Sequence, residues 1–122
     1  MRIGVPKEIK PQENRIGLTP DSVKTLVSEG HEVLVENNGG FEAGFDNDQY
    51  KNAGAKIIEK ATDIFNDAEI IVKVKEPQKV EVEMIKENQI VYTYLHLAAA
   101  KELTEGLVKS ESINIAYICF SI

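Results

Sequence analysis

The sequence predicts an α/β fold built on an open, mainly parallel twisted sheet with helices on both faces. Short β-branched runs alternate along the chain with amphipathic segments of helical length, a rhythm typical of βαβ units. Parallel strands need crossover helices, so both faces of the sheet are expected to be covered. The 122 residues, 43% hydrophobic and 28% charged, suit one globular domain with a single core.

The first βαβ unit is predicted from the run Ile3-Gly4-Val5 and the segment that follows a charged loop. Thr19 supplies an N-cap and Pro20 a first helical residue, opening a helix that Gly30 can close. Residues 31–36 then form the second strand, because valines alternate there with other residues in a period of two.

Shorter elements are predicted in the middle of the chain. Residues 37–40 form a turn, and Asp46 caps a short helix that runs through Tyr50 to Ala53. A brief strand covers 56–58, and Thr62 caps the next helix. That helix contains Ile64, Phe65 and Ala68. The fourth strand is expected over 69–75.

Pro77 cannot continue a central strand, so the chain is expected to turn there. The helix that follows is predicted to place Val80, Met84 and Ile85 on one side. A fifth strand is expected over 89–95, a helix over 98–109, and a sixth extended run over 113–120.

Charge and composition exclude several classes of function. The formal net charge is -6, with acidic residues spread along the chain, which disfavours nucleic acid and anionic lipid as partners. The start lacks a signal-peptide core, and no apolar run reaches membrane-spanning length, so a cytoplasmic location is expected. Cys119 is the only cysteine, and its apolar run indicates a buried thiol, with no metal site expected.

Three side chains are candidates for chemistry, because ligands bind at the carboxyl ends of strands in open α/β sheets. Arg15 lies in the loop after the first strand, Lys75 ends the fourth strand and His96 ends the fifth. If these strands are neighbours, Arg15 and Lys75 can hold a small carboxylate. The imidazole of His96, with an ordinary pKa of about 6.5, can then exchange a proton at the reacting carbon.

Structural alternatives stay open at this point, because such residues are often solvated or hydrogen-bonded groups without a catalytic role. Lys73 is interpreted as a strand residue with a structural role that reaches towards the rim. Glu76 is the carboxylate expected to pair with Lys75 or Arg15. The glycines at 39, 40 and 44 match neither the dinucleotide fingerprint nor a phosphate-binding loop.

Several motifs resemble the amino-terminal part of the alanine dehydrogenase and pyridine nucleotide transhydrogenase family. The resemblance covers residues 1 to about 117 and rests on 1–8, 13–15, 19–20, 30–33, 44–45, 53–55, 72–77 and 94–98. The amino-terminal sequences of transhydrogenases are similar. A histidine at the place of His96, however, is what the resemblance implies for alanine dehydrogenases and not for transhydrogenases. It also implies a Rossmann-like or flavodoxin-like substrate domain.

The resemblance implies oxidative deamination of L-alanine to pyruvate and ammonia with reduction of NAD. Arg15 and Lys75 would bind the pyruvate or alanine carboxylate and carbonyl region, and His96 would be the acid/base group. The substrate domain is expected over 1–117, incomplete, with a divergent tail at 118–122 that suggests a truncation or frameshift.

The nucleotide-binding domain of the family has no counterpart in the sequence, so no bound NAD and no turnover are expected for this chain alone. Uncovered apolar surface is expected to make it a homo-oligomer. Two alternatives remain. One is a non-catalytic module that binds 2-oxo acids, or a subunit related to the transhydrogenase N-terminal domain, and the other is a purely structural or interaction domain.

Overall fold

The computed structural model describes residues 1–93 and 113–116. Within these ranges there are six strands and four α-helices. The strands are β1 (Arg2–Val5), β2 (Glu32–Glu36), β3 (Lys56–Ile58), β4 (Ile70–Val72), β5 (Ile90–Thr93) and β6 (Ile113–Ala116). The helices are α1 (Pro20–Ser28), α2 (Asn47–Asn52), α3 (Ala61–Asp67) and α4 (Lys79–Met84), and a short 3-10 helix covers Phe41–Ala43.

The six strands form one parallel sheet in the order β3-β2-β1-β4-β5-β6. Ile3 of β1 lies opposite Val33 on one side and Ile70 on the other. Along the chain, β2 and β3 therefore extend the sheet on one side of β1, and β4, β5 and β6 then extend it on the other side. This reversal creates a switch point between β1 and β4, and the predicted fold class is confirmed.

Helices cover both faces of the sheet, as strand alternation requires. Val33 and Val35 face one side, where they share a core with Val23 of α1 and Tyr50 of α2. Leu34 faces the other side. Its core cluster there also contains Ile64, Phe65, Ile71 and Val91. Each face thus has its own apolar layer, and the sheet lies between them.

The predicted helix starts at Thr19 and Asp46 are confirmed. The side chain of Thr19 accepts a hydrogen bond from the Ser22 amide, and Pro20 is the first residue of α1. Asp46 and Gln49 form a reciprocal capping box at the start of α2. Each cap satisfies backbone donors that the first helical turn leaves unpaired.

The structure differs from the prediction at α3, because the helix begins one residue before Thr62. Lys60 is the N-cap residue, with extended backbone, and Ala61 is the first helical residue. Thr62 therefore lies inside the first turn and is exposed, so its assignment as the cap is wrong.

A second difference concerns the buried side of α4. Val80 is 61% exposed, whereas Glu81 is buried and Val82 and Met84 pack against the core. The prediction for Val80 is wrong because Glu81 is buried in an ion pair with Lys73, which places Val80 on the exposed side of the helix.

The fourth strand also ends earlier than predicted, at Val72. The amides of Val74 and Lys75 donate to the carboxylate of Glu8 instead of to a neighbouring strand. The predicted helix over 98–109, the extended run beyond 116 and Cys119 lie outside the described residues.

In the described parts of the chain, no helix is both long and apolar enough to cross a membrane. The longest described α-helix, α1, has 9 residues, about 14 Å at 1.5 Å per residue.

Candidate functional site at the sheet switch point

The three strands expected to carry the site, β1, β4 and β5, lie side by side in the middle of the sheet. Arg15 is in the loop that follows β1, and Lys75 lies just beyond the end of β4. The condition on which the sequence argument depended, that these strands are neighbours, is therefore met for both cations. His96 lies outside the described residues, although β5 is described up to Thr93.

Arg15 presents a largely exposed guanidinium that is oriented by Glu13. The side chain of Arg15 is 64% exposed, whereas that of Glu13 is 5% exposed. Glu13 Oε2 accepts from the Arg15 amide at 2.8 Å and from Nε at 3.0 Å, while Oε1 accepts from Nη2 at 2.9 Å. Such a two-oxygen fork fixes both the position and the plane of the guanidinium.

The pKa of Glu13 is lowered to about 2, chiefly by the side-chain hydrogen bond from Arg15. The charge of Lys75 also lowers the pKa of this carboxyl group. Glu13 thus responds electrostatically to both cations of the candidate site, which supports their convergence on one end of the sheet.

Gly17 lets the Arg15 loop lie directly against the end of β4. A Cβ atom at Gly17 would be 2.5 Å from the carbonyl oxygen of Val72 and 2.8 Å from its carbonyl carbon. Both obstacles are backbone atoms, so only a glycine permits this approach. The close contact brings the loop after β1 to the strand that leads to Lys75.

Lys75 is half-buried, and its backbone is held on both sides. Its amide donates to Glu8 Oε1 at 3.1 Å, and its carbonyl accepts from Thr93 Oγ1 at 2.7 Å. Residues from the loop after β1 and from β5 therefore fix the turn on which Lys75 lies.

Behind Lys75 lies a buried charge cluster, defined here as Glu8, Lys73 and Glu81. Lys73 Nζ is 3.1 Å from Glu8 Oε1 and 2.9 Å from Glu81 Oε2. All three side chains are 1–2% exposed. The interpretation of Lys73 as structural agrees with these contacts, but its expected reach to the rim is wrong, because the ammonium is buried between two carboxylates.

Burial raises the pKa of Glu81. It also raises the pKa of Glu36, which is less deeply buried. Lys73 acts in the opposite direction on both carboxyls by charge attraction. Glu8 and Glu81 were missed by the sequence analysis. The one available signal for Glu8 was its position just after a buried strand, where side chains meet the functional end of a parallel sheet.

Glu76 was expected to pair with Lys75 or Arg15. The structure shows its salt bridge with Lys10, whose side chain lies in the loop after β1. This pair ties the same loop to the turn after β4, close to the contact made by Gly17. It adds a second link between the two segments that carry Arg15 and Lys75.

Among the described residues, the amino terminus of α1 does not suit a dinucleotide phosphate. The amino terminus of α1 is already capped by Thr19 and carries the acidic Asp21, which disfavours a phosphate. At Gly40 a Cβ atom would lie 2.6 Å from the Tyr50 ring, so this glycine serves packing. Across residues 1–93 and 113–116, no group of three or more metal-binding side chains comes together.

The fold and site define a class of protein: a doubly wound parallel α/β domain with two cations at the exits of its central strands, where such folds bind small ligands. The family follows from the sequence itself. The chain belongs to the family described as "Alanine dehydrogenase/PNT, N-terminal domain", whose model matches residues 4–119.

Alanine dehydrogenases from two organisms illustrate the similarity. The chain is 49% identical over 117 residues to the enzyme of Staphylococcus epidermidis and 47% identical to that of Methanococcus maripaludis. Each match covers 96% of this chain but 31% of the relative. The chain thus spans about a third of the length of these relatives.

Solved structures agree with this assignment. An L-alanine dehydrogenase superposes with a TM-score of 0.93 at 50% identity, covering 96% of this chain and 32% of that one. A transhydrogenase from Sinorhizobium meliloti superposes with a TM-score of 0.88 at 26% identity, covering 95% and 34%. The fold is therefore shared with both branches of the family.

Proposed function

We propose that this chain is the substrate-binding part of an NAD-dependent L-alanine dehydrogenase. The complete reaction converts L-alanine, NAD and water to pyruvate, ammonia and NADH, and the chain alone does not turn over. The observation that carries the proposal is the adjacency of β1 and β4 at the switch point, with Arg15 and Lys75 following them. The 49% identity to an alanine dehydrogenase supports the choice of substrate.

Arg15 and Lys75 bind the carboxylate and carbonyl region of pyruvate or alanine. The guanidinium is exposed and held in one plane by Glu13, so it offers a planar carboxylate a bidentate contact. The ammonium of Lys75 is a compact charge that suits a single oxygen. Two cations at one site would favour an anionic ligand such as a small 2-oxo acid over a neutral ligand.

His96 is the acid/base group of the proposal, a role that the family resemblance implies. An imidazole is able to take and return the proton that accompanies conversion of an amine to a carbonyl near neutral pH. In the sequence, His96 follows the last described residue of β5 by three residues, and β5 is the neighbour of β4.

The proposal includes a domain layout and a setting in the cell. Residues 1–117 form the substrate domain, 118–122 form a divergent tail, and the NAD-binding half lies outside these 122 residues. We propose a cytoplasmic protein that associates with copies of itself. Light scattering on the purified chain is expected to show a mass above the 13.6 kDa monomer, and a strictly monomeric sample would contradict self-association.

Calorimetric titration with pyruvate tests the site. We expect binding by the unmodified chain and a loss of about tenfold or more in affinity for Arg15→Met and for Lys75→Met, since each removes a charge-assisted contact. His96→Gln is expected to bind pyruvate within a few-fold of the unmodified chain. Propionate, which has the carboxylate but no keto oxygen, serves as the matched ligand control. Equal affinities for all variants would refute the assignment.

The second candidate is a non-catalytic module that binds 2-oxo acids, or a subunit related to the transhydrogenase N-terminal domain. The superposition on a transhydrogenase supports that relationship. The two candidates differ in what a nucleotide-binding partner does. If the chain is part of a dehydrogenase, adding the nucleotide-binding half of an alanine dehydrogenase produces NADH from L-alanine, and His96→Gln abolishes it. Pyruvate binding with no NADH formed would favour the module.

A further inference from the structure

The carboxylate of Glu8 is enclosed by donors that belong to one short segment after β4. Oε1 accepts from Lys73 Nζ and from the Lys75 amide, each at 3.1 Å, and Oε2 accepts from the Val74 amide at 3.1 Å. Glu8 and Lys75 are 67 residues apart in the sequence. Glu8, which follows β1, therefore accepts the backbone hydrogen bonds that a neighbouring strand would otherwise accept from the chain after β4.

We infer that Glu8 is a positioning residue for Lys75, which fixes the direction from which the ammonium of Lys75 meets a bound 2-oxo acid. The inference rests on the proposed function of Lys75. A lysine has a flexible four-carbon side chain, so its charge is directed mainly through its backbone. Glu8 holds the amide side of that backbone, while Thr93 holds the carbonyl side.

A carboxylate suits this place because two oxygens are needed for three donors. A glutamine has one carbonyl oxygen, and its NH2 group would face either a backbone N–H or the ammonium of Lys73. Glutamine therefore preserves the size of the side chain and leaves at least one of these buried donors without its acceptor. Burial makes that loss costly, since water does not replace the acceptor.

Lys73 lies between Glu8 and the third member of the buried charge cluster, Glu81. Glu81 Oε2 holds the far side of Lys73 Nζ, and Glu81 Oε1 accepts from the Gln78 amide at the start of α4. The contacts of Glu81 therefore reach Lys73 and Gln78, whereas those of Glu8 reach Lys73 and the backbone of 74 and 75. Two glutamates in one cluster thus differ in their connection to Lys75, and this difference supplies a matched control.

Hydrogen exchange of the 122-residue chain measures the backbone connection directly. In Glu8→Gln, the amides of Val74 and Lys75 are expected to exchange at least about tenfold faster relative to the amides of β2, which report global opening. In Glu81→Gln the same ratio is expected to stay near that of the unmodified chain. A purely structural role of Glu8 predicts equal acceleration at β2 and at 74–75, and that result would overturn the inference.

Pyruvate titration then measures the functional connection. Glu8→Gln is expected to weaken binding about tenfold, and Glu81→Gln by less than about twofold. In a Lys75→Met background, Glu8→Gln should cause no further loss, because residues that act through one another are not additive. A full additional loss in that background would refute the link. If the unmodified chain bound no pyruvate, the proposed function would fall, and the exchange ratio would still decide whether Glu8 fixes the Lys75 backbone.

Discussion

Thr93 Oγ1 donates a 2.7 Å hydrogen bond to the carbonyl oxygen of Lys75. Thr93 is the last residue of β5 and is 1% exposed, so this contact is shielded from water. The bond joins the end of one strand to the turn that follows its neighbour. The geometry of the candidate site therefore depends on β5 as well as on the segments that carry the two cations.

Replacing Thr93 with valine is expected to lower the free energy of unfolding by about 1–3 kcal/mol. Valine has nearly the same shape but no hydroxyl group, so the Lys75 carbonyl is left without its donor. Urea denaturation measures the change, which is interpretable as stability if the m-value stays constant.

The matched control is Thr25→Val in α1, where the hydroxyl group is exposed and donates to the Asp21 carbonyl. Water can replace that donor, so a smaller loss is expected. Equal losses at positions 93 and 25 would show that the buried hydrogen bond of Thr93 contributes no more to stability than an exposed one.

Replacing Lys73 with methionine is expected to destabilise the protein by about 3–5 kcal/mol, because two buried carboxylates lose their cation. The loss should become smaller as the pH falls. The pKa of Glu81 is raised in the folded protein, so its charged form opposes folding above that pKa, and protonation at lower pH removes the opposition. Thermal or urea unfolding at several pH values tests both statements.

Lys56→Met provides the comparison for Lys73→Met, since Lys56 pairs with Glu32 at the exposed edge of the sheet. Exposed ion pairs contribute little to stability. Similar losses for the two lysine variants would contradict the role assigned to burial.

The carboxyl group of Glu13 is expected to titrate with a pKa of about 2, far below its ordinary value of 4.5. A lowered folded-state pKa stabilises the fold above the unfolded-state pKa, and this stabilisation is lost as the pH falls from about 4.5 through about 2. The contact between Arg15 and Glu13 should therefore persist at pH 4. Carbon-13 NMR of the side-chain carboxyl group measures the midpoint.

Arg15→Met tests the cause of that low pKa, because the side-chain hydrogen bond from Arg15 is its largest contribution. The midpoint of Glu13 should move upwards towards 4.5 in this variant. An unchanged midpoint would assign the shift to another group.

Replacing Gly17 with alanine is expected to weaken both folding and pyruvate binding. The new Cβ atom would meet the backbone of Val72, so the Arg15 loop must move away from β4. Gly30→Ala is the control. Its φ of +94° strains an alanine, but no atom lies within 4 Å of the new Cβ. Both variants should lose stability, and only Gly17→Ala should bind pyruvate more weakly; calorimetry that finds the reverse would contradict the contact.

Much of the architecture was accessible from the sequence because its local signals are strong. Thr19 with Pro20 and Asp46 are helix starts whose caps act within a few residues, and the alternation in 31–36 identifies a strand. The positions of Arg15 and Lys75 followed from one general rule about strand ends. The structure adds that β1 and β4 are neighbours, which a single sequence does not reveal.

The buried charge cluster was not accessible because its contacts join residues far apart in the chain. Glu8 and Lys73 are 65 residues apart, and their burial is tolerable only when both are present. Helical periodicity also favours Val80 over Glu81 for the buried side of α4, since it ranks a carboxylate as solvent-facing. The ion pair with Lys73 reverses that ranking.

The central position of β1 in the sheet has a consequence for folding during synthesis on the ribosome. β1 is synthesised before β4, one of its two neighbours, because Ile70 of β4 comes 67 residues after its partner Ile3. Until β4 has been synthesised, one edge of β1 keeps backbone hydrogen-bonding groups without a strand partner. The pairing of β1 with β4 must therefore follow the synthesis of β4, and until then β1 is a segment in need of protection by a chaperone.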